Sequence, residues 1–109
     1  MTFDEYQKLA GEMAIYPNQG KNLIYPVLGL TGEAGEVSGK LSKVLRDHGG
    51  VLGDGHAEEI KKELGDVLWF VAQISTELGV SMKDVAAGNI KKLQSRKERG
   101  KLTGDGDNR

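Results

Sequence analysis

Two stretches of this sequence repeat apolar residues in alternating steps of four and three, and this spacing limits the folds open to the chain. The first repeat consists of Leu30, Ala34, Val37, Leu41 and Val44. The second consists of Ile60, Leu64, Val67, Val71, Ile74 and Leu78. Side chains three and four apart share one face of an α-helix, so each repeat predicts a long helix with one apolar face. Because two such faces pack well on each other, the pattern predicts two long central helices packed antiparallel.

Shorter helical signals lie on both sides of this central pair. Thr2 with Glu5 forms a capping-box pattern, and Ser81 with Asp84 is a second helix start. No stretch shows the alternation of a β-strand. The sequence therefore predicts an all-α four-helix bundle, with helices over about 3–14, 23–47, 57–78 and 81–98.

The helical pattern stops at residue 99, which divides the chain into a helical domain over 1–99 and a tail over 100–109. The tail, GKLTGDGDNR, is rich in Gly and Asp and has no apolar period. It contains fragments of a calcium-binding loop without the required spacing or terminal Glu. A terminus of this composition is expected to be disordered.

Composition excludes several classes of protein. The 109 residues suffice for one domain, and 15 basic against 16 acidic residues give a net charge of −1, which argues against a protein whose whole surface is built for nucleic acid. No apolar run approaches the ~18 residues of a membrane span, and the N-terminus lacks a signal-peptide layout. With no Cys there is no disulfide framework, which favours a cytoplasmic location.

Two pairs of acidic residues lie within the apolar repeats, and each acid directly precedes one apolar member of its repeat. The pairs are Glu33 and Glu36 on the second helix, and Glu63 and Asp66 on the third. Members of each pair are three residues apart, so they are neighbours on the helix surface. When the two apolar faces pack antiparallel, these matching flanks emerge on the same side. Four converging carboxylates are the kind of site that Mg²⁺ prefers, and the lack of imidazole and thiolate disfavours zinc.

A simpler interpretation is that these acids belong to a solvated helix face. Glu36 with Lys40 and Glu58 with Lys62 have the spacing of ordinary i, i+4 ion pairs. This alternative stays open on spacing alone.

Five glycines lie inside the two central helices, at Gly29, Gly32, Gly35, Gly39 and Gly65. Each costs ~1 kcal/mol relative to Ala in a helix, so together they would cost about 5 kcal/mol. Such a cost indicates either close helix contact or room for a ligand at these positions.

The same residues carry a family resemblance. The strings GLTGEAGEVSGKLSKVLRD and EEIKKELGDVLWFVAQ resemble the MazG-like nucleoside triphosphate pyrophosphohydrolases of the all-α NTP pyrophosphatase superfamily. The family motif is ExxE, a spacer and ExxD, and here it reads Glu33–Glu36 and Glu63–Asp66 with 26 residues between. The resemblance covers about residues 23–99.

The resemblance implies that the four acids bind Mg²⁺ or Mn²⁺ and support hydrolysis between the α and β phosphates of a nucleoside triphosphate. It further implies a homodimer or homotetramer and a role in nucleotide-pool sanitation. Family members carry an Asn and a basic residue on the last helix near the phosphates, and Asn89 and Lys92 match this pattern. Arg96 lies on the same predicted face. The alternative is that Lys91–Lys101 is a solvated basic helix end.

Several roles are left undecided by the residues. Glu36 or Glu63 could act as a general base rather than as a pure ligand. Trp69 and Phe70 could stack on a base, although aromatics on a bundle helix more often belong to the core. His48 and His56 are predicted at the surface. Alternative functions are phosphoribosyl-ATP pyrophosphohydrolase, dUTPase, a non-enzymatic helical interaction module and a nucleic-acid binder that uses the basic last helix.

Overall fold

A computed structural model describes all residues from 1 to 109, and it confirms the all-α prediction. Its four helices are α1 (Phe3–Glu12), α2 (Ile24–His48), α3 (His56–Glu77) and α4 (Met82–Glu98). These bounds lie within about two residues of the predicted ones, and no strand is present. None of the four helices combines the length and apolar character that a membrane crossing requires.

Local chemistry explains where the helices start and end. The Thr2 hydroxyl accepts from the Glu5 N–H while the Glu5 carboxylate accepts from the Thr2 N–H, which confirms the capping box. Ser81 accepts from the Asp84 N–H at the start of α4. Gly49 ends α2 in the left-handed conformation, at φ 60°, which side chains with a Cβ rarely adopt.

The core lies where α1 and α4 meet the C-terminal half of α3. Its buried members are Ala10, Ala72 and Met82, one from each of these helices. The Trp69 indole N–H donates to the Ala10 carbonyl oxygen at 3.2 Å. The Gln7 side chain donates to the Val80 carbonyl oxygen and accepts from the Met82 N–H, so it ties α1 to the turn between α3 and α4.

Glu77, at the end of α3, fixes the loop between α1 and α2. Its carboxylate accepts from the Tyr16 hydroxyl and from the N–H groups of Gly20 and Asn22. These donors, the Tyr16 hydroxyl first, lower the pKa of Glu77. Burial and the adjacent carboxylate raise the pKa of Tyr16 to about 12.

Contacts along α2 and α3 show that the two long helices run antiparallel, as predicted. Near the loop Lys40 meets Glu59 and Glu63, whereas at the other end Gly29 packs against Phe70. The antiparallel orientation of α2 and α3 is therefore shown by side-chain contacts near both ends of the pair.

The predicted apolar stripes are only partly buried. Val44 is 4% exposed, and Leu30, Val37, Ile60, Val67, Val71 and Ile74 are half-buried. Against expectation, Ala34, Leu41, Leu64 and Leu78 are exposed. A single neighbouring helix covers only a narrow seam, so the exposed members of each stripe, which are interspersed with the covered ones, have no covering element within the chain.

The chain is broader than a compact domain of its length. Its radius of gyration is 16.8 Å, whereas about 13 Å is typical of 109 residues. Large apolar side chains on several helices face outward, among them Leu28, Leu45, Leu64 and Ile90. The folded chain therefore leaves apolar surface that a single copy does not cover.

The C-terminal tail differs from the disorder that its composition predicts, because it folds back over the end of α4. The Arg96 guanidinium donates to the Asp107 carbonyl oxygen, and Arg99 donates to the Arg109 carbonyl oxygen. Arg109 in turn donates to the carbonyl oxygens of Lys101, Leu102 and Gly106. Arginines that satisfy tail carbonyls supply the order that apolar residues do not.

Candidate metal centre

Three carboxylates from the two central helices converge beside the α2–α3 seam. One oxygen each of Glu33, Glu63 and Asp66 lies within 4.8 Å of the others. Glu33 comes from α2, and the other two come from neighbouring positions on α3. The antiparallel packing of the apolar faces places the flanking positions together, as the sequence pattern predicts. We refer to these three residues as the acid cluster.

Glu36, the fourth predicted ligand, is exposed and lies outside the acid cluster. It remains close enough for its charge to raise the pKa of Glu33. The structure therefore brings together three of the four predicted acids and places Glu36 beside them.

Burial and the repulsion between neighbouring carboxylates both act on the acid cluster. The pKa of Glu33 is raised, first by burial and then by the charges of Asp66, Glu63 and Glu36. Carboxylates held this close resist simultaneous ionisation unless a cation joins them. The donor set is all oxygen, which fits Mg²⁺ and Mn²⁺ better than softer metals.

Lys40 is the cation that forms an ion pair with the acid cluster. Its ammonium lies 3.3 Å from the Glu63 carboxylate and 3.1 Å from that of Glu59. Hydrogen bonds to Glu59 and then Glu63 raise the pKa of Lys40. The expected pair of Lys40 with Glu36 is not formed, because Lys40 crosses to α3 instead. Sequence spacing within one helix could not predict this partner.

The predicted residues on α4 lie apart from the acid cluster in the single chain. No hydrogen bond or ion pair joins Asn89, Lys92 or Arg96 to any of the four acids. Asn89 is exposed, and the Lys92 ammonium lies 4.0 Å from the Asp107 carboxylate. Arg96 is only 5% exposed, and its guanidinium holds the tail. The helix packs against α1 and α3 but does not contact α2.

The helix glycines divide into two groups. A Cβ at Gly29 would lie 2.2 Å from the Phe70 ring, so this position requires close helix contact. A Cβ at Gly32, Gly35, Gly39 or Gly65 would meet no atom within 4 Å. Close packing within the chain therefore explains one of the five glycines, whereas the other four have room for a Cβ.

The two aromatic residues that follow Asp66 belong to the packing. Trp69 is half-buried against the core and donates to Ala10. Phe70 packs on Gly29 and makes an edge contact with Trp69, with ring centroids 5.0 Å apart. The core interpretation of both residues agrees with these contacts.

Comparison with known proteins matches this arrangement to a family. The MazG nucleotide pyrophosphohydrolase domain matches residues 24–100, which include all of α2, α3 and α4. The chain belongs to the MazG family. It is 46% identical over 114 residues to the Gene 37 protein of Mycobacterium phage L5, and the match covers 100% of both chains. No solved structure matches significantly. The acid cluster therefore lies in a MazG nucleotide pyrophosphohydrolase domain.

Proposed function

We propose that this protein is a Mg²⁺-dependent nucleoside triphosphate pyrophosphohydrolase that cleaves between the α and β phosphates. Its products would be a nucleoside monophosphate and pyrophosphate, and its role would be sanitation of the cytoplasmic nucleotide pool. The observation that carries the proposal is the convergence of Glu33, Glu63 and Asp66, whose oxygens lie within 4.8 Å of one another in a MazG domain.

The acid cluster is proposed to hold the metal. Mg²⁺ takes oxygen ligands, and Mn²⁺ suits the same donors. When bound there, the ion would supply positive charge to the phosphate oxygens and increase the acidity of water. Lys40 would orient Glu63, because its ammonium already contacts that carboxylate.

Glu36 is the proposed general base. It is exposed, forms no ion pair and lies near enough to the acid cluster to affect Glu33. A free carboxylate beside the reacting phosphate can accept the proton of an attacking water. Glu63, the other candidate, is committed to Lys40 and to the acid cluster.

Asn89, Lys92 and Arg96 are proposed to bind the substrate phosphates in a homodimer or homotetramer. Within one chain α4 does not contact α2, so a second copy would have to bring these residues to the acid cluster. The large radius of gyration and the outward-facing Leu45 and Leu64 support such an assembly, because contact between copies would cover them.

Product analysis tests the proposal directly. Purified protein is incubated with Mg²⁺ and each common or damaged nucleoside triphosphate, including dUTP, and with phosphoribosyl-ATP. We expect a monophosphate and pyrophosphate in equal amounts, and no product when the metal is chelated. Release of orthophosphate with a diphosphate, or no turnover of any substrate, would contradict the proposal.

A further inference from the structure

A cavity of about 210 Å³ lies between α2 and α3, on the loop side of the acid cluster. Its two apolar lining residues are Val44 and Ile60. Its polar lining consists of Lys40, Lys43, Asp47, His48, His56 and Glu59. Four of these six side chains can donate hydrogen bonds from nitrogen, which makes the cavity different in character from the acid cluster beside it.

The two acids of the lining are already neutralised by cations. Asp47 accepts two hydrogen bonds from the Arg46 guanidinium, at 2.7 and 2.8 Å. Glu59 accepts from Lys62 at 3.0 Å and from Lys40 at 3.1 Å. Lys43 forms no ion pair, although its charge, after the hydrogen bonds of Arg46, helps to lower the pKa of Asp47, so its ammonium can still contact a ligand. The cavity with its flanking cations therefore favours an anion.

The hydrogen bond of His56 decides between a metal and an anion as occupant. The Gly53 N–H donates to His56 Nδ1 at 2.8 Å, so the proton of the neutral ring is on Nε2. Neither nitrogen then offers a free lone pair to a metal, whereas Nε2–H is a hydrogen-bond donor. The His48 ring lies beside it, with centroids 4.8 Å apart. The Nε2–H of His56 is therefore suited to an oxyanion oxygen.

Lys40 joins this cavity to the acid cluster. It lines the cavity and also contacts Glu63 at 3.3 Å. Along α3 the cavity residue Glu59 lies four residues before Glu63, which is about one helical turn. A chain of linked phosphates held at the acid cluster could therefore extend into the cavity.

We propose that this cavity is an oxyanion subsite for the terminal phosphates of the substrate, and hence for the pyrophosphate that is released. Lys43 and His56 would be its main donors. The assignment to a substrate rests on the proposed function, whereas the affinity of the cavity for pyrophosphate does not.

Calorimetric titration of the full chain with inorganic pyrophosphate, in buffer without divalent metal, tests the subsite. Wild-type protein is expected to bind pyrophosphate, and more tightly than it binds orthophosphate. Lys43→Met and His56→Ala should each weaken pyrophosphate binding about tenfold, because each removes one charged or directed donor. Lys61→Met is the matched control, since Lys61 is an exposed α3 lysine paired with Glu58 outside the cavity. Its affinity should change less than about twofold.

Two results would overturn the subsite. One is a wild-type protein that does not bind pyrophosphate without metal, and the other is equal affinity in Lys43→Met and Lys61→Met. Since Lys43 is exposed, its variant keeps the test valid even where His56→Ala disturbs the loop. If triphosphates are hydrolysed but Lys43→Met changes neither KM nor pyrophosphate inhibition, the subsite fails and the proposed function stands. If pyrophosphate binding depends on Lys43 but no triphosphate is hydrolysed, the proposed function fails and the oxyanion site stands.

Discussion

The two halves of α3 differ sharply in what surrounds them. In the C-terminal half Ala72 and Gln73 are 0% exposed and Ser75 is 3% exposed, where α1 and α4 cover the helix. In the N-terminal half Glu63 and Asp66 stand at the open side of the α2–α3 seam. Along this one helix, the C-terminal half therefore contributes to stability and the N-terminal half carries the candidate metal ligands. Substitutions that open a cavity at the C-terminal half of α3 should destabilise the protein, whereas substitutions of the acids in its N-terminal half should remove the proposed activity.

Asp66→Asn should have the largest effect. The change removes one charge from the acid cluster, so we expect turnover to fall at least about a thousandfold, while the helical CD signal and the melting temperature are kept. Steady-state assays with the best substrate and thermal melts check both parts. Asp54→Asn, in the exposed loop between α2 and α3, is the control and should keep full turnover. Full activity in folded Asp66→Asn protein would remove the metal site from the mechanism.

Met82→Ala should have the largest effect on folding. Met82 is 3% exposed in the core, so its truncation is expected to lower the free energy of unfolding by about 2–5 kcal/mol. Met13→Ala is a control of the same chemistry at a position that is 68% exposed, and it should cost less than about 0.5 kcal/mol. Urea denaturation of both variants gives the comparison. Equal losses would show that the core is not where α1, α3 and α4 meet.

Gly29→Ala and Gly32→Ala should shift stability in opposite directions. A methyl group at Gly29 overlaps the Phe70 ring, which Trp69 holds from the side, so we expect a loss of about 1–3 kcal/mol. Gly32 has open space, so Ala there should add about 1 kcal/mol through helix propensity. Denaturation curves measure both shifts. Two losses of the same size would mean that the surface at Gly32 is covered, for example by a second copy.

Gln73→Met should give the smallest change in the free energy of unfolding, and it should stabilise the protein. The Gln73 amide is buried with no hydrogen-bond partner for either its nitrogen or its oxygen. An apolar side chain of similar length removes that desolvation cost, so a gain of about 1 kcal/mol is expected in thermal or chemical denaturation. A clear loss of stability would show that the amide has a partner, such as an ordered water.

Much of the fold could be predicted from the sequence because local signals dominate a helical bundle. The capping residues Thr2 and Ser81 and the four–three spacing of apolar residues place the helices to within about two residues. The same spacing predicts the convergence of Glu33 with Glu63 and Asp66, since it fixes which flanks meet. These features depend on one helix at a time or on one helix pair.

Other features depend on contacts that spacing does not specify. Lys40 bonds across to Glu59 and Glu63 rather than along its own helix to Glu36, and its length allows either choice. The tail is held by arginines rather than by an apolar pattern, so no periodicity revealed it. The exposure of Leu41 and Leu64 follows from the number of neighbours that each helix has, which a single helix pattern does not specify.

Binding of Mn²⁺ measured by electron paramagnetic resonance is the most direct test of the acid cluster as a metal site. Wild-type protein should bind at least one Mn²⁺ per chain, Mg²⁺ should compete for it, and Asp66→Asn should weaken the affinity about tenfold or more. The same affinity in wild-type and Asp66→Asn protein, or no bound Mn²⁺ in either, would contradict the account.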